Sequence, residues 1–100
     1  MKPTDAIRGK ERDIRRLIEA YGFIEPKLFG SAARGDDHEG SDLDLLATIP
    51  SAMAGKISLF DIAELEVELQ AMVGVPVDFY VRNNMPEHLR PSIERELVTL

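Results

Sequence analysis

The run Lys27-Leu28-Phe29-Gly30-Ser31-Ala32-Ala33-Arg34-Gly35, followed after a polar stretch by Ser41-Asp42-Leu43-Asp44-Leu45-Leu46-Ala47, decides how this chain is read. Lys27-Leu28-Phe29 makes a short strand that Gly30-Ser31 stops. Ser31 then sits near the N-cap of a short helix over Ser31-Ala32-Ala33-Arg34. Asp36 to Gly40 is a polar loop. Asp42 to Ile49 alternates and branches like a strand, and Pro50 closes it. Strand, glycine turn, helix and strand within some twenty residues point to an α/β layer with short joints.

The flanks carry the same alternation. Towards the N-terminus, Ile7, Ile14, Leu17, Ile18 and Tyr21 fall on one stripe, which predicts a helix from about Asp5 to Tyr21. Thr4 is placed to cap it, and Gly22 follows where a helix end favours glycine. Towards the C-terminus, Ser58 with Asp61 matches a capping box and opens a helix over about Leu59 to Val73. Its inward stripe is Ile62, Leu65, Leu69, Met72 and Val73, and Gly74 ends it. Val75, Val77, Phe79 and Val81 then share one face of a strand. Asn83, Asn84 and Pro86 mark a turn. A last helix is expected from Glu87 or Pro91 to the end, with Leu89, Ile93 and Leu97 inward and Pro91 suited to a first turn.

Composition sets outer limits. One hundred residues, 44% apolar and 30% charged, suit one small soluble domain, assigned to residues 1–100. There are no cysteines, so disulfides and cysteine-based zinc sites are excluded. No apolar run reaches membrane-span length, and the N-terminus lacks the apolar core of a secretory signal, so a cytoplasmic location without membrane attachment is expected. The net charge of −6 is uneven: residues 1–35 hold eight Lys/Arg against five Asp/Glu, and residues 36–100 hold four against thirteen. Such a chain is a poor nonspecific nucleic-acid binder. It suits a basic partner, or a ligand whose charge is carried by metal ions.

On a strand, Asp42 and Asp44 share one face while Leu43 and Leu45 take the other. Asp78 lies out of phase with Val77 and Phe79 on the later strand. If the two strands are neighbours, three aspartates converge. Carboxylates about 6–7 Å apart repel by roughly 2–3 kcal/mol per pair at an effective dielectric near 20. They then need a cation, and all-oxygen ligands suit Mg²⁺ or Mn²⁺. The plainer alternative is that Asp42 follows a turn and Asp44 faces water. Gly30 lets backbone approach a ligand, and amides at a helix start attract phosphate. Alone, the turn is equally a capped helix after a strand. Together with the paired carboxylates it supplies both parts that a metal–triphosphate needs.

The pattern Gly30-Ser31, ten residues, then Asp42-x-Asp44 resembles the signature of the minimal nucleotidyltransferases of the DNA polymerase beta superfamily. Val77-Asp78-Phe79 is similar to the family's third carboxylate, set between apolar residues. The resemblance covers about residues 5–82. It implies a small mixed sheet flanked by helices, Mg²⁺ (two ions, about 3.5–4 Å apart) and ATP. It implies that Asp42, Asp44 and Asp78 hold the metals, and that Asp78 helps deprotonate the attacking hydroxyl. Gly30 and Ser31 would hold the β- and γ-phosphates. Many short members are antitoxins that bind a HEPN-domain ribonuclease toxin and in some cases add AMP to one of its tyrosines. The same role here is implied by the resemblance alone. A purely binding antitoxin and nucleotidylation of a small molecule are the competing functions; the first needs none of these residues, and the second is disfavoured without a second domain to grip the acceptor.

Other residues admit two roles. Arg34 is assigned to the nucleotide, with an ion pair as the alternative. Asp36-Asp37-His38-Glu39 is expected to be a solvated loop rather than a metal site. Arg8, Arg12, Arg15 and Arg16 form a basic band on the first helix, solvated or docking. Tyr80 shares the Asp78 face and could line the site, while His88 is a surface residue. About nineteen residues follow the last expected strand, so the acceptor is expected to be held by an oligomeric neighbour or by the partner itself.

Overall fold

The computed structural model describes residues 1–100. A four-stranded sheet is built from β1 (Ile24–Phe29), β2 (Leu43–Thr48), β3 (Val77–Val81) and β4 (Val98–Thr99), in the order β3-β2-β1-β4. The helices are α1 (Pro3–Ala6), α2 (Glu11–Ala20), α3 (Ser31–Arg34), α4 (Leu59–Val73) and α5 (Arg90–Glu96). β1 runs antiparallel to both β2 and β4, whereas β2 and β3 are parallel because α4 carries the chain back across the sheet. This is the small mixed sheet flanked by helices that the family resemblance implies.

The alternation along each strand divides the sheet into two unlike faces. Leu28, Leu43, Leu45, Ala47, Val77, Phe79 and Val81 are buried and form one core with Ile14 and Ile18 of α2 and Leu65, Leu69 and Val73 of α4. Phe23 packs edge-on against Phe79 with ring centres 5.0 Å apart. The opposite face carries Lys27, Phe29, Asp44, Leu46, Asp78 and Tyr80, brought level by the register pairs Phe29–Asp44, Asp44–Asp78 and Leu46–Tyr80. At its far end, α5 and Leu97 leave a polar pocket of about 290 Å³ lined by Glu25, Lys27, Thr48, Arg82 and Glu94.

α4 occupies the residues its end signals predict. Ser58 accepts from the Asp61 N–H, the Ser58 N–H donates to the Asp61 carboxylate at 2.8 Å, and Gly74 closes the helix at φ +77. α4 also guards the sheet's outer edge. The β3 amides of Val77 and Phe79 donate to Gln70 Oε1 at 3.0 Å and Glu66 Oε2 at 2.9 Å, donors that a bare edge would leave open. On the inner side, the Leu43 N–H donates to the Pro76 carbonyl at 2.8 Å and starts the parallel ladder. Asn83 extends the sheet by its side chain, accepting from the Ile49 N–H and donating to the Ile49 carbonyl.

Two expected helices differ. The single helix over Asp5–Tyr21 is broken into α1 and α2, because Gly9 takes φ +81 between them. The apolar stripe conceals the break, since Ile7 and Ile14 are both buried on either side of it. Thr4 is not a cap: its N–H and hydroxyl bind the Asp37 carboxylate at 2.8 and 3.2 Å. At the other end the chain does not stay helical. Leu97 turns extended at φ −66, ψ 135, and Val98–Thr99 pairs with Lys27 and Leu28. Two residues are too few to register as a periodicity. β1 also begins earlier than expected, at Ile24, with a bulge before Lys27 and Glu25 at φ +52.

Candidate active site

The site is built where β1, β2 and β3 present one level of residues on the open face. Phe29 ends β1 opposite Asp44, and the next residue, Gly30, turns at φ 74, ψ −153, a region open essentially to glycine alone. A Cβ on Gly30 would collide with the Asp44 carboxylate. The glycine is therefore required twice, by the turn and by the approach of the carboxylate to the backbone. Gly30 itself is the N-cap of α3, and Ser31 is its first residue rather than its cap. The Ser31 carbonyl accepts from the amides of Gly35 and Asp36, which tightens the turn.

Asp78 stands directly beside Asp44 on the parallel neighbour, and Asp42 lies just before β2, exposed at the end of the pair. The electrostatics record their proximity. Burial raises the Asp44 pKa first, the charges of Asp78 and Asp42 raise it further, and Arg34 offsets part of this. Burial also raises Asp78, followed by the charge of Asp42, a hydrogen bond with Asp42, and the charge of Glu66. Asp78 and Asp42 thus disfavour ionisation of Asp44, and Asp42 disfavours that of Asp78, a strain that a cation placed among them would relieve. No three acidic, histidine or cysteine side chains pack closely enough to enclose an ion by themselves. The arrangement is an open face, which suits Mg²⁺, an ion that keeps waters and takes phosphate oxygens beside one or two carboxylates. All-oxygen donors of this kind fit a hard cation and would not fit a soft one.

The remaining candidates divide. Arg34 lies close enough to Asp44 to act on its charge, but its guanidinium pairs with Asp36 at 3.2 Å and with Glu96 of α5 at 3.4 Å. The hydrogen bond to Asp36 is the main cause holding Arg34 above its ordinary value. Tyr80 lines the site as its strand phase predicts. Its ring meets Phe29 edge-on at 5.0 Å, and burial, then Asp44, Asp78 and Asp42, push its phenol up.

In the loop 36–39, Asp37 contradicts the solvated reading. It is 8% exposed and ties the loop to Thr4. Burial pushes its carboxyl up, but the hydrogen bonds from Thr4 outweigh that and hold it below the usual carboxylate range. His38 and Ser41 hold each other through their backbones and the Ser41 hydroxyl, which fixes the approach to Asp42. Of the basic band, Arg15 donates to the Leu100 carbonyl and Arg8 pairs with Asp5, while Arg12 and Arg16 are exposed, as is His88. Sequence reasoning missed Asp37 and Glu66. Nothing local marks Asp37, since its partner is thirty-three residues away.

Several known proteins resemble this chain. Residues 10–99 match the nucleotidyltransferase domain family. The protein adenylyltransferase MntA of Thermococcus cleftensis is 32% identical over 84 residues, covering 84% of this chain and 81% of that one. A solved structure provisionally named a minimal nucleotidyltransferase superposes with a TM-score of 0.82 at 31% identity, covering 97% of this chain and 95% of its own. A toxin–antitoxin structure containing AMP-PNP shares the fold, with a TM-score of 0.75 at 21% identity over 89% of this chain and 70% of that one. No helix is long and apolar enough to cross a membrane.

Proposed function

The chain belongs to the nucleotidyltransferase domain family, and from that premise we propose that it is a Mg²⁺-dependent protein adenylyltransferase, residues 1–100 forming its one catalytic domain. AMP passes from ATP to a tyrosine of a HEPN-domain toxin, which the transfer neutralises. The observation that carries this proposal is the level alignment of Asp44 and Asp78 with Gly30 pressed against the Asp44 carboxylate. The protein acceptor is supported by the name of the Thermococcus relative, and the toxin by the toxin–antitoxin neighbour with its ATP analogue.

The chemistry follows from the face. Asp42, Asp44 and Asp78 would hold Mg²⁺, which when bound stabilises charge on both the attacking and the departing oxygen. Gly30 and the turn amides, with the Ser31 hydroxyl, receive the β- and γ-phosphates. Arg34 reaches them on leaving Glu96. Asp78 takes the proton of the acceptor hydroxyl. The hydroxyl oxygen bonds to the α-phosphorus, the bond from that phosphorus to the β-bridging oxygen breaks, and pyrophosphate departs.

Incubation with α-labelled ATP, Mg²⁺ and the product of the neighbouring gene, a HEPN-domain protein on this proposal, tests it. Label should move to a tyrosine of the partner, and Asp42→Asn or Asp44→Asn should abolish it. Neutralisation of the partner by Asp42→Ala/Asp44→Ala, with no label transferred by the wild type, would sink the catalytic role.

A further inference from the structure

Beyond β3, on the side away from Gly30, the surface opens into an apolar groove of about 430 Å³. Leu59 and Ile62 of α4 form one wall, Met85, Leu89 and Ile93 the other, and Tyr80 lies at the end nearest the site. Leu59 is 80% exposed and its neighbour Phe60 87%, so the apolar surface continues out along α4. Apolar exposure on this scale beside a catalytic face marks a binding surface.

We propose that this groove seats an apolar segment of the acceptor protein and delivers its hydroxyl to Asp78. The inference rests on the function proposed above and adds where the acceptor is gripped. Direction is the first argument. The strand order places Gly30 of the β1 turn, then Asp44 on β2, then Asp78 on β3, then the groove. In-line displacement puts the leaving group and the nucleophile on opposite sides of the phosphorus. With the leaving phosphates at Gly30, the attacking hydroxyl arrives from the β3 side, where the groove opens. Continuity is the second. Tyr80 belongs to both surfaces: it shares the Asp78 face of β3, meets Phe29 edge-on, and lines the groove.

Charge selects the occupant. α4 carries Asp61, Glu64, Glu66 and Glu68 and no lysine or arginine. Glu66 stands on the β3 side of the helix, and Asp61, Glu64 and Glu68 stand behind it towards Tyr21, so α4 gives the groove an acidic flank that an apolar segment with basic neighbours would complement. A nucleobase would have to lie on the attacking side of its own phosphates.

The variants Leu59→Glu and Leu89→Glu alter exposed groove walls, with Ala20→Glu on α2 as a control and circular dichroism confirming the fold. Titration calorimetry without nucleotide, using the same HEPN-domain protein as probe, should show the dissociation constant raised about tenfold or more by either groove variant and unchanged by Ala20→Glu. AMP-PNP with Mg²⁺ should bind all four proteins alike. Groove variants that bind the probe as wild type does, or a wild type that does not bind it, overturn the inference. So does weaker AMP-PNP binding in Leu59→Glu, which would give the groove to the nucleobase. A dimer in sedimentation that Leu59→Glu dissociates would give it to a second copy. Groove-dependent binding without AMP transfer would uphold the docking site and remove the catalytic proposal instead.

Discussion

Gly30 and Asp44 are one feature, fourteen residues apart in sequence and in contact in space. A methyl group at Gly30 meets the Asp44 carboxylate and must also adopt a backbone region that costs of order 1–3 kcal/mol. Gly30→Ala should therefore lose stability by about 2 kcal/mol in urea denaturation and lose AMP transfer with it. Asp44 should behave in the opposite sense. Burial and the neighbouring Asp78 raise its pKa, and Asp78 is raised likewise. A carboxyl with a raised folded pKa holds its proton more tightly when folded. Its favourable contribution is complete below the unfolded value, near 4, and is lost as pH rises through the folded one. At neutral pH the metal-free protein bears that loss. Asp44→Asn should stabilise the metal-free protein at pH 7 by about 1 kcal/mol, a melting-temperature rise of about 4–8 °C, while abolishing transfer. Mg²⁺ should raise the wild-type melting temperature at pH 7 and have little effect at pH 4. A destabilised Asp44→Asn would show that the carboxylate is held by bonds rather than confined against its neighbours.

At the scale of elements, what could be read in advance depended on chemical punctuation. α4 runs over the expected Leu59–Val73 because both ends are marked by side chains that act locally, Ser58 with Asp61 and Gly74. Ser58→Ala should cost about 1 kcal/mol in denaturant unfolding, since it removes the acceptor for the Asp61 N–H. An unchanged midpoint would mean that the Asp61 arm of the box suffices. The phase of Asp42, Asp44 and Asp78 was legible too, because a period of two is local. Their meeting was not, since it depends on β2 and β3 being neighbours, which α4 decides by crossing the sheet. Gly9 split the first helix where the apolar spacing ran on unbroken, as a left-handed glycine leaves no mark on periodicity. β4 exists only through its pairing with Lys27 and Leu28, so two residues of sequence could not announce it. The Thr4–Asp37 tie is invisible for the same reason, and it matters more: it braces the loop that leads into Asp42. Asp37→Ala should cost about 1–3 kcal/mol by leaving the Thr4 N–H unpaired, measured as a shift in denaturation midpoint.

Across the whole molecule, charge is sorted along the chain, and the sorting has a kinetic consequence. Residues 36–100, which supply Asp42, Asp44, Asp78 and all of α4, hold thirteen acidic residues against four basic ones. The field at the open face and along the α4 side of the groove is negative, so a basic acceptor is drawn towards the surfaces that must engage it. Steering of this kind acts over the screening length, about 10 Å at 0.1 M salt and about 3 Å at 1 M. It changes the association rate far more than the dissociation rate. Stopped-flow mixing with the acceptor protein should therefore show the association rate falling by about an order of magnitude between low and high salt, with dissociation almost constant. Glu64→Lys, an exposed change on α4 away from the carboxylate pair, should flatten that dependence while leaving AMP-PNP binding as it is. The two effects separate what the face does from what the field does. On the docking proposed above, apolar contact in the groove sets how long the acceptor stays, and the acidic surround sets how often it arrives. A salt-independent association rate would leave the groove's contacts to select the acceptor unaided.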